Sequence, residues 1–153
     1  MRLALTIGDP GGIGPEICSR VLASRRREEG IELVVIGSAP ALYRDGPWIE
    51  KEVPVVEASA GVEPPAGPVC LVSTGAAEPP PRGRPTLQGG AESGRAVETA
   101  VDFARRGLVE GIVTGPISKE AIELAGYEYE GHTEMLADLF DAPDCQMMMV
   151  DGA

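Results

Sequence analysis

Histidine is almost absent: His132 is the only one in 153 residues. One imidazole among scattered carboxylates is not a metal-ligand set. Nor does it support a Ser-His-Asp arrangement, because no partner for it stands out in the chain. Basic residues are also scarce, with 13 Lys and Arg against 24 Asp and Glu and a formal net charge of −11. A nucleic-acid groove needs a concentrated basic stripe. The densest basic run, Arg25-Arg26-Arg27, passes at once into Glu28-Glu29 and reads as the end of a helix. Nucleic acid and anionic membrane are therefore not expected as partners. The three cysteines, Cys18, Cys70 and Cys145, are odd in number and lack a zinc-ligand spacing. With Cys18 and Cys70 inside apolar patterns, they read as reduced thiols of a cytoplasmic protein. Long apolar runs are missing as well: residues 3–7 are too few for a signal sequence or a membrane span.

What remains is the composition of one soluble domain, 43% hydrophobic and 24% charged, long enough to bury a core. Residues 2–7 read as a buried strand entering a glycine-rich loop at 8–14. A helix follows, with Pro15 and Glu16 suited to its first turn, Ile17, Val21 and Leu22 as its apolar stripe, and Arg25, Arg26 and Arg27 complementing its end. Strands are predicted at 32–36, 53–56, 69–73, 111–113 and 146–150, and a short helix at 39–43. Half of the chain's 14 prolines lie between Val62 and Pro85, which excludes a helix or central strand there apart from 69–73. Residues 91–107 form the clearest helix, with Ala96, Val97, Ala100, Val101, Ala104 and Leu108 on one face. Glu92 is placed in its first turn, Arg105 and Arg106 in its last, and Gly107 stops it. A further helix is read at 118–125.

Alternating strands and helices predict an α/β sandwich around a mainly parallel sheet, whose ligands collect at the carboxyl ends of the strands. Three loops occupy such positions. The first, 8–14, reads G-x-x-G-G-x-G and not the dinucleotide G-x-G-x-x-G. The second strand also runs into Gly37-Ser38 instead of an acidic residue, and no Gly-Lys-Ser/Thr follows. It is a packing turn or a ligand loop. The second, 114–119, offers two hydroxyls and Lys119. Ser118 either caps a helix with Lys119 in solvent or belongs to a site. The third is Gly131-His132-Thr133-Glu134, preceding an apolar pattern at Met135, Leu136, Leu139 and Phe140. An imidazole and a hydroxyl at a helix N-terminus make an anion grip, alongside free N–H groups and the positive dipole end. Alternatively, Thr133 caps the helix and His132 is a surface residue.

Leu5-Thr6-Ile7-Gly8-Asp9-Pro10-Gly11-Gly12-Ile13-Gly14-Pro15-Glu16 resembles the N-terminal signature of the 4-hydroxythreonine-4-phosphate dehydrogenase (PdxA) family. The blocks Gly111-Ile112-Val113-Thr114-Gly115-Pro116-Ile117-Ser118-Lys119, Ala125-Gly126 with Gly131-His132-Thr133-Glu134, and Met147-Met148-Met149-Val150 follow in family order. The resemblance implies an α/β/α sandwich of the isocitrate/isopropylmalate dehydrogenase type and a homodimer with active sites at the subunit interface. It also implies NAD(P)-dependent oxidation, with decarboxylation, of the small phosphorylated hydroxy acid 4-phosphohydroxy-L-threonine, on the route to pyridoxal phosphate. His132 and Thr133 inherit substrate contacts; the roles of Asp9, Ser118 and Lys119 stay open. A divalent metal (Zn, Mg or Co) is implied too, but the family's metal-binding histidines lie beyond the part matched here. The Asp151-Gly152 turn signal after an apolar strand leads us to expect the N-terminal portion of a longer enzyme, inactive alone. The alternatives are a D-threonate or D-erythronate 4-phosphate dehydrogenase of the same family, or a non-catalytic phosphate-binding or dimerisation fragment.

Overall fold

The computed structural model describes residues 1–24, 30–59 and 61–151. The expected helix-ending run Arg25-Arg26-Arg27 and the Gly152 half of the terminal turn lie outside the described residues. Five strands form one sheet: β1 (Arg2–Thr6), β2 (Glu32–Gly37), β3 (Val55–Glu57), β4 (Val69–Ser73) and β5 (Gly111–Thr114), in spatial order β3-β4-β2-β1-β5. Every pairing is parallel, with Leu5 opposite Val35 and Val113, and Val34 opposite Cys70. Their carboxyl ends therefore share one edge of the sheet.

Period-two alternation splits the strand side chains between two cores. Leu5, Val35, Val69 and Leu71 face α1 (Gly14–Ala23), α2 (Ala39–Asp45) and α3 (Ile49–Glu52), meeting Cys18, Leu22, Leu42 and Ile49. Ala4, Val34, Ile36, Cys70 and Val72 face α4 (Leu87–Arg105), meeting Ala96, Ala100 and Phe103. A third cluster joins Val97 and Val101 of α4 to Met135 of α6 (His132–Phe140). The short α5 (Lys119–Leu124) lies against the N-terminal half of α4. A parallel sheet flanked by helices on both faces is thus the observed architecture. No helix among the described residues is long and apolar enough to cross a membrane.

Three expectations are corrected. Ile17 and Val21 are exposed at 44% and 45%, and the buried stripe of α1 is Gly14, Cys18 and Leu22 instead. Gly14 sets that rotation: a Cβ on it would fall 1.9 Å from the Ile7 carbonyl oxygen, so this residue faces the sheet. The helical spacing of four then carries Cys18 and Leu22 inward. Next, α4 begins at Leu87, ahead of the expected 91, with Thr86 as N-cap accepting from the Gly89 N–H at 2.9 Å. Glu92 consequently sits in the second turn and is buried. Finally, residues 146–150 form no strand: Met147, Met148, Met149 and Val150 are 72–88% exposed. Among the described residues no strand runs beside them, and an apolar run without a ladder partner has nothing to hold it extended.

The proline-rich excursion is held mainly by guanidinium groups. Proline removes a donor but leaves its carbonyl wanting one. Arg2 Nη2 donates to the Pro64 and Pro65 oxygens at 2.9 and 2.5 Å. Arg44 reaches the Pro10 oxygen at 2.8 Å and the Pro80 oxygen at 3.2 Å. Arg82 closes an ion pair on Asp45.

Gly90 offers a test of sign. Alanine in a helix interior normally stabilises by roughly 0.5–1 kcal/mol over glycine. A Cβ at Gly90, however, would meet the Ala121 oxygen at 1.8 Å, and that oxygen belongs to the backbone of α5. Gly90→Ala is expected to destabilise the chain by about 2 kcal/mol or more in urea unfolding. An increase in stability would show that α4 and α5 do not pack this closely.

Candidate functional site

The loops after β1 and β5 are locked together. The Asp9 N–H donates to the Pro116 oxygen at 2.9 Å, and the Gly115 N–H donates to the Thr6 oxygen at 2.8 Å. Gly8, at φ +74°, takes the left-handed conformation, and a Cβ there would lie 2.2 Å from the Pro116 oxygen. The glycine-rich loop is thus at least a packing turn, built for close approach to the 114–119 segment. Asp9 folds back so that its Oδ1 accepts from the Gly11 N–H at 2.8 Å. Burial raises the Asp9 pKa, the Gly11 N–H opposes that shift, and the neighbouring Glu92 charge adds to it.

Ser118 caps α5, its hydroxyl accepting from the Ala121 N–H at 3.2 Å. The plain capping reading therefore holds for Ser118. Lys119 is exposed, as that reading expects, and with Glu123, Tyr127, Glu128, Tyr129 and Glu130 it lines an open cavity of about 500 Å³. Tyr127 packs over Gly94, where a Cβ would stand 2.2 Å from the ring. Burial, then the Glu98 carboxylate, pushes its phenol up to about 12. The Tyr129 hydroxyl donates to Asp138 at 2.6 Å and ties the cavity wall to α6.

His132 and Thr133 occupy the first turn of α6. Its N-cap is Gly131, extended at φ 174°, and no side chain caps this end. Thr133 is thus not the cap, which removes the bland account of that residue. Three features single out His132. Its Nε2 is buried and has no hydrogen-bond partner among the described residues. Burial lowers its pKa below the ordinary 6.5, favouring the neutral ring near pH 7. The residue is the first of α6, at an end that no side chain caps and that offers N–H groups to an anion. The 114–119 segment and the stretch that leads into the histidine loop share one cavity, since Lys119 and Glu130 both line it, but His132 and Thr133 are not among its lining residues. The glycine-rich loop touches the 114–119 segment, and among the described residues no hydrogen bond carries it on to His132.

Glu92 was missed as a site candidate because the sequence placed it in an exposed first turn. Pro85-Thr86 was the overlooked start signal, a proline followed by a good N-cap residue.

Comparison with known proteins bears on the family of the chain. The family model described as "Pyridoxal phosphate biosynthetic protein PdxA" matches residues 29–153. A "D-threonate 4-phosphate dehydrogenase" of Salmonella typhimurium is 38% identical over 152 residues, covering 96% of this chain and 46% of the relative. A "4-hydroxythreonine-4-phosphate dehydrogenase" of Beijerinckia indica is also 38% identical, over 97% of this chain and 44% of its own length. The chain therefore spans about half the length of the curated relatives it matches. The crystal structure of a 4-hydroxythreonine-4-phosphate dehydrogenase from Burkholderia phymatum superposes with a TM-score of 0.78 at 27% identity, over 94% of this chain and 44% of that one. That from Klebsiella pneumoniae gives 0.69 at 31% identity, over 92% and 44%. With the ordered motifs, the parallel sheet and these matches in agreement, the chain belongs to the PdxA family, a family of NAD(P)-dependent dehydrogenases.

Proposed function

We propose that this chain is the N-terminal, substrate-gripping part of a PdxA-type dehydrogenase that oxidises the alcohol of a small 4-phosphorylated hydroxy acid. The proposed fold of the whole is the isocitrate/isopropylmalate dehydrogenase type, working as a homodimer with sites at the subunit interface. One observation carries the reading: the lone histidine of a PdxA-family chain stands at a helix N-terminus with a buried, unpartnered Nε2. A neutral imidazole there donates to, or accepts from, a substrate hydroxyl or phosphate oxygen. Thr133, relieved of capping, adds a hydroxyl beside it. Which ring nitrogen carries the proton follows from the partner it meets.

The substrate class follows from the relatives' names, and the equal 38% identities to a 4-hydroxythreonine-4-phosphate and a D-threonate 4-phosphate dehydrogenase leave both acids as candidates. The chemistry NAD(P) would supply when bound is that of a hydride acceptor for the alcohol carbon, with the hydroxyl proton passing to solvent. No dinucleotide fingerprint lies in the chain, so cofactor contacts are not assigned to its residues. The same holds for the metal. Among the described residues no group of three or more His, Cys, Asp or Glu could hold one, and no step is routed through it.

Two outcomes are expected. The 153-residue chain alone should give no NAD(P) reduction with 4-phosphohydroxy-L-threonine or D-threonate 4-phosphate, whichever divalent metal is added. Turnover measured at 340 nm with this polypeptide as sole enzyme would defeat the division of labour proposed here. In a longer enzyme carrying this sequence, His132→Ala removes one hydrogen bond to a charged group, about 1.5–3 kcal/mol, so kcat/KM should fall roughly 10- to 150-fold. Its thermal midpoint should not move, since Nε2 makes no internal bond. Thr133→Val should weaken binding without loss of stability, because no cap is removed. Full kcat/KM in His132→Ala would return the residue to the surface reading.

A further inference from the structure

Ser38 stands at the N-cap of α2, where a serine hydroxyl ordinarily accepts from a first-turn N–H. It makes no such bond. The residue is 1% exposed, and its Oγ is buried without a hydrogen-bond partner. It turns instead toward Gly75, just past the carboxyl end of β4. A Cβ on Gly75 would stand 2.8 Å from Ser38 Oγ and 2.6 Å from Glu92 Oε2. Glu92 is 4% exposed. Its Oε1 accepts from Gln88 Nε2 at 2.8 Å and from the Ala76 N–H at 3.2 Å, whereas its Oε2, like Ser38 Oγ, has no partner among the described residues. Two orphan oxygens from different elements thus converge on one small space, beside a residue with no side chain to fill it.

Among the described residues no ion pair meets the charge there, the guanidinium of Arg95 donating instead to the Thr74 oxygen at 2.9 Å. Asp9, 6% exposed, is a second buried carboxylate, and the Glu92 field acts on it. Among the described residues no basic side chain forms an ion pair with either. The N-terminus of α4 supplies roughly half a positive charge, less than two carboxylates require. Burying carboxylates without a counter-charge is costly. Oxygen-only donors and a negative field are what a hard cation seeks.

We propose that Glu92 Oε2 and Ser38 Oγ are ligands of a monovalent-cation site, for sodium or potassium, joining the ends of β2 and β4 to the second turn of α4. The two side-chain oxygens would supply part of the oxygen shell of such an ion, with backbone oxygens or water completing it, whereas a divalent transition metal favours nitrogen and sulfur donors. The site lies beneath the Asp9 loop and is independent of the dehydrogenase reading, so either can fail without the other.

Thermal unfolding at constant ionic strength in potassium, sodium or choline chloride tests it. At about tenfold saturation, one of the two metal cations should raise the midpoint over choline by about 3–5 °C. Glu92→Gln, near-isosteric and uncharged, should abolish the difference between salts. Ser38→Ala, which removes only the hydroxyl, should at least halve it, and decides the matter should the Glu92 variant not fold. Equal midpoints in all three salts would mean that an internal water satisfies both oxygens, and would overturn the proposal. So would a cation response kept in full by Glu92→Gln, or by Ser38→Ala where that variant decides.

Discussion

The close seating of the first half of α4 is the constraint on which the rest of the molecule depends. Gly89, Gly90 and Gly94 lie in its first two turns. Side chains there would strike Asp9 Oδ1 at 2.7 Å, the Ala121 oxygen at 1.8 Å and the Tyr127 ring at 2.2 Å. Each glycine in a helix interior costs roughly 0.5–1 kcal/mol relative to alanine. That cost is offset by what the missing Cβ atoms allow. The Asp9 loop, α5 and the tyrosine cavity all come within touching distance of one helix. The helix that carries His132 is held against α4 through Met135, which packs on Val97 and Val101. The downstream half of α4 anchors the arrangement, with Ala96, Ala100 and Phe103 against the sheet and Val97 and Val101 against Met135.

The sheet was readable in the sequence because its signal is local. Residues 69–73 and 32–36 are apolar on both faces, as a parallel strand between two helical layers must be, and both strands formed there. Helix faces were less legible. Ile17 and Val21 look like core residues, but the rotation of α1 is set by Gly14 against Ile7, a contact between backbones that hydrophobicity does not encode. The start of α4 was hidden for a related reason. A glycine pair lowers intrinsic helix propensity, and only the tertiary approach of α5 explains why a helix uses it. Residues 146–150 failed in the opposite direction: their composition suits a strand, but strand formation needs a neighbour.

The candidate site shows the same division. His132 and Thr133 were visible because a lone histidine before an apolar helix is a local pattern. That Thr133 makes no cap bond, and that Nε2 is left unpartnered, came only from the three-dimensional arrangement. Glu92, Ser38 and Gly75 come from α4, the end of β2 and the end of β4, and no spacing in the chain links them. The acidic residue expected at the end of β2 in a dinucleotide fold is absent from the strand. A carboxylate is nonetheless brought beside Ser38 from across the sheet, by a helix whose register the sequence concealed.

His132 and the Glu92 cradle illustrate opposite ways of burying a polar group. An imidazole can shed its charge: burial lowers its pKa, and the neutral ring keeps a donor and an acceptor at modest cost. It can therefore wait unpartnered at a helix N-terminus for a ligand while adding little to folding. A buried carboxylate must instead be met by hydrogen-bond donors or by opposite charge. Asp9 shows the strain in its raised pKa, even with the Gly11 N–H bonded to it. Removing the imidazole should therefore register in ligand affinity alone. Any change to the carboxylate cradle must register in stability, because that is where the charge without an ion pair resides.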